Sequence, residues 1–319
     1  MSKWNGSCGW GWLMAVVLGG LNVAAAPVPL TSATVTEIKN DVRYQAATAT
    51  ERAARVTDVL QPEDVLRTGA RSLAELEFND KTIARLGSLS VFSFQRATRD
   101  FHAGKGTTLV CVPKGGGGGR IVSAAITAAI QGTTVVVEEL EVPDPHGQGP
   151  ARTLSKVFFL EGNGRLFLTR DLAAAPARAP SVAINAGQML AQFADDPRLG
   201  AVQTINLDLL MQGARILSGF KNKLPSQNLI QNAINGQRVD LQRGDLQQTK
   251  AVGLSPVTLG PPTPNGPAGG LGVSDTPQNQ PATRSVGTPV GGGFFLSTVP
   301  IPGMISVPLE GGGYVNFPR

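Results

Sequence analysis

Residues 60–94 read LQPEDVLRTGARSLAELEFNDKTIARLGSLSVFSF, and the middle of this stretch alternates. Ala74, Leu76 and Phe78 fall on one face of an extended chain and Glu75, Glu77 and Asn79 on the other, because successive strand side chains point to opposite sides. Asn79 and Asp80 then bring turn chemistry, since their short polar side chains bond nearby backbone and tolerate left-handed conformations. The spacing predicts strand, turn and strand. Outward from this unit, the chain from Thr31 to about Ile184 is built of short β-branched and apolar runs at 89–94, 107–112, 133–138, 156–160, 165–169 and 181–185. Gly, Asp and Asn punctuate them, and few windows sustain a 3.6-residue period. The pattern predicts a mainly β fold of many short strands rather than βαβ units.

Composition narrows the function classes. The 319 residues are 41% hydrophobic but only 5% aromatic, with 39 Gly and 23 Pro, so a real core is affordable while the large side chains that line enzyme pockets are scarce. The 28 basic and 23 acidic residues give a net charge of +5 with no run of five or six like charges, which argues against a nucleic-acid groove. Two His and two Cys leave a His-rich metal site, a zinc ribbon and a disulfide framework without ligands or partners.

At the N-terminus, Lys3 precedes an apolar run over 10–21 that falls short of the roughly 20 residues a spanning helix needs. Residues 1–25 therefore read as a secretory signal peptide, with Val23, Ala24, Ala25 and Ala26 offering the small residues a signal peptidase requires. Pro27 would be a poor first residue, so the cut is expected after Ala25, giving a periplasmic or extracellular chain that starts at Ala26 and has no stable membrane span. The alternative is an uncleaved anchor. Cys8 lies ahead of the apolar run and so is not a lipidated cysteine. Removal of the segment leaves Cys111, whose setting TLVCVP predicts a buried, inert thiol.

The β domain is expected over 26–190, a helical segment over 191–252, and a disordered Gly/Pro-rich tail over 253–319. In the helical segment Val202, Ile205, Leu209, Ile216 and Phe220 recur at helical spacing. Pro225 can open a second helix that Asn235 and Gly236 close, which predicts a helical pair. Its stripe packs either on its own β domain or on a partner or membrane surface. The tail's 67 residues include 14 Gly and 12 Pro, well above the share at which low complexity is the default. Its last part, GGGFFLSTVPIPGMISVPLEGGGYVNF, is apolar enough to dock, which leaves a spacer with a sticky end or plain filler.

Three motifs suggest chemistry. In TLVCVPKGGGGGRIVSAAITAAIQGTTVVVEEL, a strand, a glycine loop over Gly115–Gly119, an Ala-rich stretch and a second strand ending at Glu138 and Glu139 imitate a dinucleotide-binding unit. The third glycine of the fingerprint falls on Arg120 or Ile121, so the match fails, and a flexible hairpin loop between strands is expected instead. Gly104, Lys105, Gly106 and Thr107 resemble a phosphate loop but lack its leading glycine. His102 and His146 sit in turn-prone sequence without a recognisable nucleophile and are expected to be solvated loop residues. The neighbours Glu138 and Glu139, like Asp195 and Asp196, would point to opposite sides of a strand and are expected to be solvated surface pairs. No catalytic, cofactor-binding or metal-ligating residue is expected.

The run at 60–94 resembles the core of the FecR domain, a module of periplasmic regulators and other exported bacterial proteins. Asp64, Thr68, Gly69, Ser72, Ala74, Leu76, Phe78, Asp80, Leu86 and Gly87 carry the likeness. A second block, RIVSAAITAAIQGTTVVVEE, is similar through Ile130, Gly132 and Thr133. The third, KVFFLEGNGRLFL, is similar through Glu161 and Gly162, and SVAINAGQML through Ala186 and Gly187. Together they span about 33–190. Three positions depart: Glu63 and Lys81 stand where the family has Gly, and Ser123–Ala124 where it has Thr-Pro.

The resemblance implies a solenoid- or sandwich-like stack of short antiparallel strands, with no catalytic residues and no cofactors. It implies an exported, non-enzymatic interaction or structural protein of the cell envelope, whose partner is a protein or envelope polymer and not nucleic acid. The alternative is a periplasmic signalling regulator of the FecR type, linked to a sigma factor. Fewer than a dozen residues precede the apolar run, too few for a sigma-factor-binding domain, so the first reading is preferred. A dinucleotide-binding enzyme working through Gly115–Gly119 is the third.

Overall fold

A computed structural model describes residues 28–96, 98–143 and 149–244, and the backbone of short strands between 247 and 318. The expectations for residues 1–25, for His146 and for most of 253–319 lie outside the described residues. The chain begins with β1 (Ala33–Lys39), β2 (Val42–Gln45), β3 (Arg52–Ala53), β4 (Val59–Leu60), β5 (Val65–Thr68), β6 (Leu73–Phe78), β7 (Ile83–Leu86), β8 (Val91–Phe94) and β9 (Asp100–Cys111). It continues with β10 (Gly119–Val122), β11 (Ile126–Ile130), β12 (Thr134–Val142), β13 (Arg152–Glu161), β14 (Asn163–Leu168), β15 (Ser181–Asn185), β16 (Gln188–Phe193) and β17 (Gln203–Ile205). Helix α1 (Thr169–Ala174) follows β14, and α2 (Leu207–Gly213), α3 (Arg215–Ser218) and α4 (Gln227–Arg243) follow β17. The fold is mainly β with a helical part after it, as the short alternating runs predict.

The strands form two sheets that share one member. The first runs β4-β1-β6-β7-β9-β12-β13-β16-β17 and the second β3-β2-β5-β8-β9-β10-β11-β14-β15. Residues Phe101–Lys105 of β9 pair with β8 in the second sheet, whereas Gly106–Cys111 pair with β12 in the first. The change of sheet falls on Gly106, whose φ is 72°. A Cβ there would lie 2.6 Å from the carbonyl oxygens of Ser88 and Leu89, so only glycine fits the crossing.

Between the sheets lies one core. Ala74, Leu76 and Phe78 enter it from β6, and Phe92, Phe94, Phe101, Val135, Val137 and Phe159 from other strands. Phe78 meets Phe92, Phe94 and Phe101 edge-on at centroid distances of 6.3, 5.0 and 5.3 Å, the geometry that ring quadrupoles favour. A second core lies on the outer face of the first sheet. There Leu109, Val136, Phe158 and Met189 pack against Leu207, Ile216, Leu224, Ile230 and Ile234 of the helical part. The first sheet is therefore covered on both faces, and part of its outward row is as apolar as its inward one.

Several expectations need correction. Val202 and Ile205 belong to no helix: β17 extends the first sheet there, because the edge of β16 offers a ladder. The helical part holds three helices rather than a pair. Asn206 caps α2 by accepting from Leu209 N at 3.2 Å. Pro225 does precede α4, but the helix passes through Asn235 and Gly236 and stops at Gly244, whose φ of 79° is the left-handed cap that ends a helix. At the two positions that break the expected glycine pattern, Glu63 has a φ of 74° and Lys81 a φ of 69°. The turns keep a glycine-type backbone although the side chain has changed.

Candidate functional site

The loop over Gly115–Gly119 is wrapped around Arg99. The buried guanidinium donates from Nε to Gly118 O at 2.7 Å and from Nη2 to Gly116 O at 2.9 Å and Asp80 Oδ2 at 2.5 Å, and from Nη1 to Val28 O. Phosphate cradles aim backbone N–H groups at the ligand and set them at a helix N-terminus. Here two carbonyls face a cation, and the Ala-rich stretch is the strand β11 instead of a helix. Nor is the loop a hairpin: β10 returns parallel to the start of β9, with Arg120 opposite Asp100 and Val122 opposite His102. Gly118, at a φ of 73°, carries the chain back across, and Arg120 then forks onto Asp100 at 2.7 and 2.6 Å.

The residues quoted for the family likeness end on the chain's own turns. Asp64 accepts from Tyr44 Oη at 2.7 Å, Gln61 N at 2.8 Å and Ala47 N at 3.0 Å. Burial, with this bond to Asp64, pushes the Tyr44 hydroxyl up to about 12. Thr68 Oγ1 donates to Gly87 O at 2.5 Å and accepts from Ser90 N at 2.8 Å. Asp80 accepts from Thr82 N at 2.9 Å, and Thr133 Oγ1 donates to Asn163 O at 3.1 Å.

On the outer face of the first sheet, Glu75 and Arg85 form a buried pair at 2.8 Å, with side chains 5% and 1% exposed. Thr36 Oγ1 donates to Glu75 Oε1 at 2.9 Å. Arg85 also donates to Leu217 O at 3.3 Å and Asn222 O at 2.5 Å and lies 4.4 Å over the Phe220 ring. Lys39 Nζ donates to Gly219 O, and Glu37 Oε2 accepts from Lys221 N at 3.0 Å. Strands β1, β6 and β7 thus hold the loop after α3 through charged groups.

Glu139 corrects the surface reading of its pair. Its residue is 4% exposed and continues the inward row of Val135 and Val137, so it enters the space between the sheets. Ser155 Oγ donates to Glu139 Oε2 at 2.9 Å, while Ala124 N approaches its two oxygens at 3.3 and 3.4 Å. Ser155 Oγ in turn accepts from Ala125 N at 3.1 Å. Burial outweighs these bonds and pushes the carboxyl up to about 7. Glu138 points to the opposite face and pairs with Lys156 at 2.9 Å. The row of alternate residues 135, 137 and 139 was the available signal for the burial of Glu139.

His102 lies in β9 rather than in a loop; its ring is half-buried, and Nε2 is enclosed with no hydrogen-bond partner. Cys111 is buried, with Sγ 3.4 Å from Ser226 Oγ beneath the start of α4. Asp195 and Asp196 both bond Arg152, at 2.7 and 3.0 Å, on the partly exposed surface. Among the described residues no three His, Cys, Asp or Glu side chains gather as metal ligands, and no helix is long and apolar enough to cross a membrane.

No family model and no curated protein matches the chain. Among solved structures, it is similar to two of a candidate anti-sigma factor from Parabacteroides distasonis ATCC 8503. One has 9% identity and a TM-score of 0.35, with 58% of this chain and 93% of that one covered. The other has 10% identity and the same TM-score, with 62% and 99% covered. At this degree of likeness nothing about partner or activity carries over to this chain.

Proposed function

We propose that the chain is an exported, non-enzymatic interaction or structural protein of the cell envelope, built on a module resembling the FecR domain. The observation that supports this reading is the fate of the polar residues in the quoted blocks. Asp64, Thr68, Asp80 and Thr133 spend their bonding capacity on nearby turns and on Arg99. A catalytic site instead gathers such groups around a position that a reacting atom can enter. Surface contact with a protein or an envelope polymer is then the mode of action. Calorimetric titration of the purified chain with NAD, zinc and iron tests the reading. No saturable heat is expected, and stoichiometric micromolar binding of NAD would overturn it.

The same four-block resemblance favours a second reading, a FecR-type periplasmic regulator linked to a sigma factor. Intact-mass measurement of the native protein separates the two. Loss of residues 1–25 fits the exported module, and full-length chain held in the inner membrane fits the regulator.

A further inference from the structure

We propose that Glu139 is a proton-operated latch between the two sheets. When neutral it seals the turn over 123–125 against β12; when ionised it draws water into the seam and loosens that turn.

The geometry sets Glu139 apart from the other buried carboxylates. Glu37, Glu75, Asp80, Asp100 and Glu161 each face a cation, namely Lys39, Arg85, Arg99, Arg120 and Lys114. Asp64 has none but accepts three bonds of 2.7 to 3.0 Å, two of them from backbone N–H. Glu139 faces no ion-pair partner among the described residues; it accepts one short bond from the Ser155 hydroxyl and one long, shared one from Ala124 N, with the Ser123 hydroxyl the weakest contributor. A charge so placed is poorly compensated, whereas a neutral carboxyl suits the site.

The groups around it leave the proton in control. From β13 comes Ser155, and from the turn before β11 come Ser123, Ala124 and Ala125, all uncharged. On β9 the residue opposite is Gly106, with His102 further along and Lys105 paired to Glu141 at 3.3 Å near the rim. Beyond the turn, Thr169 at the start of α1 bonds Ser123 O at 3.0 Å, and Arg170 donates outward to Ala194 O and Asp196 O. On the far face of β12, Glu138 is matched by Lys156. The position of the Glu139 carboxyl, near 7, puts the change within the neutral range.

The amides of Ala124 and Ala125 report the latch directly, because one donates to Glu139 and the other to Ser155. The test is amide exchange in the full chain between about pH 5.5 and pH 8.5, expressed as protection factors so that intrinsic exchange is divided out. Protection at both amides is expected to fall about tenfold or more across this range, with no comparable fall at Phe92 and Phe101. In Glu139→Gln, protection at the two alanines should stay at its acid-side value throughout. A carbon-13 titration of the wild-type carboxyl needs no variant and should show a midpoint near neutrality. Constant protection in the wild type, the same fall in Glu139→Gln, or an ordinary carboxylate midpoint would each overturn the proposal.

Discussion

Replacing Arg85 by Met tests how the helical part is held to the sheet. The substitution leaves the Glu75 carboxylate, 5% exposed, with the Thr36 hydroxyl for company and removes the donor to Leu217 O and Asn222 O. Taking one partner from a buried ion pair costs about 3–5 kcal/mol, because the remaining charge keeps its desolvation penalty. For a domain of this size each kcal/mol moves Tm by roughly 2–4 °C, so Arg85→Met should melt about 6–20 °C below the wild type. The double variant Glu75→Leu/Arg85→Met removes both charges and keeps the volume apolar. It should recover most of the loss, since replacing a whole buried pair by hydrophobes is often neutral or better. Differential scanning calorimetry of the three full-length chains supplies the comparison. If the double variant melts as low as the single one, Arg85 acts through its packing on Phe220 and its carbonyl bonds, and the charge argument is wrong.

Other outcomes follow from the same structure. Gly132→Val should lower stability by at least about 1 kcal/mol in chemical denaturation, since φ is 58° and a Cβ would sit 2.9 Å from Lys114 Cδ. Lys81→Gly should raise Tm: relief of the left-handed strain, about 1–2 kcal/mol, exceeds the entropic cost of glycine, about 0.5–1 kcal/mol, and the ion pair to Glu77 is exposed. Because burial holds the folded carboxyl of Glu139 near 7, above its ordinary 4.5, its contribution falls as pH rises between those values. Urea unfolding at about pH 8 should then show Glu139→Gln more stable by up to about 3 kcal/mol, an advantage that closes as pH drops toward 4.5. Limited proteolysis should cut first within about 252–293, where Gly and Pro leave little apolar surface to offset ordering entropy.

The β architecture was legible because alternation is local: Ala74, Leu76 and Phe78 announce an inward row without any knowledge of what lies opposite. The other row was not legible in the same way. Glu75 falls on the polar side of the alternation, yet the helical part more than 130 residues later covers it, and its partner Arg85 bonds Asn222. Glu139 failed for a related reason, since adjacent acidic residues suggest surface, and only the second sheet shows which of the two is enclosed. In the glycine loop, the missing third glycine was readable in Arg120. That its carbonyls would be claimed by Arg99, and that β10 would run parallel to β9, depended on contacts across 17 to 20 residues. Asn235 and Gly236 have the residue types that close a helix, but Ile230 and Ile234 anchor α4 firmly enough to carry it through to Gly244.

The strand Asp100–Cys111 supplies a ladder to each sheet, so neither sheet can change register alone. A slip by one residue would turn Phe101 and Ala103 out of the second sheet's inner face and Val110 out of the first's in the same step. Loops elsewhere can lengthen at small entropic expense, because closure cost grows only slowly with length. A single inserted residue in this strand meets two constraints: the ladder to β8 already carries an irregularity, with Val91 opposite Lys105 and Phe92 opposite Ala103, and at the crossing on Gly106 the carbonyls of Ser88 and Leu89 close the space. The alignment of the whole module is thus encoded in one twelve-residue segment, and divergence in this fold should accumulate at its connections long before it reaches that strand's length.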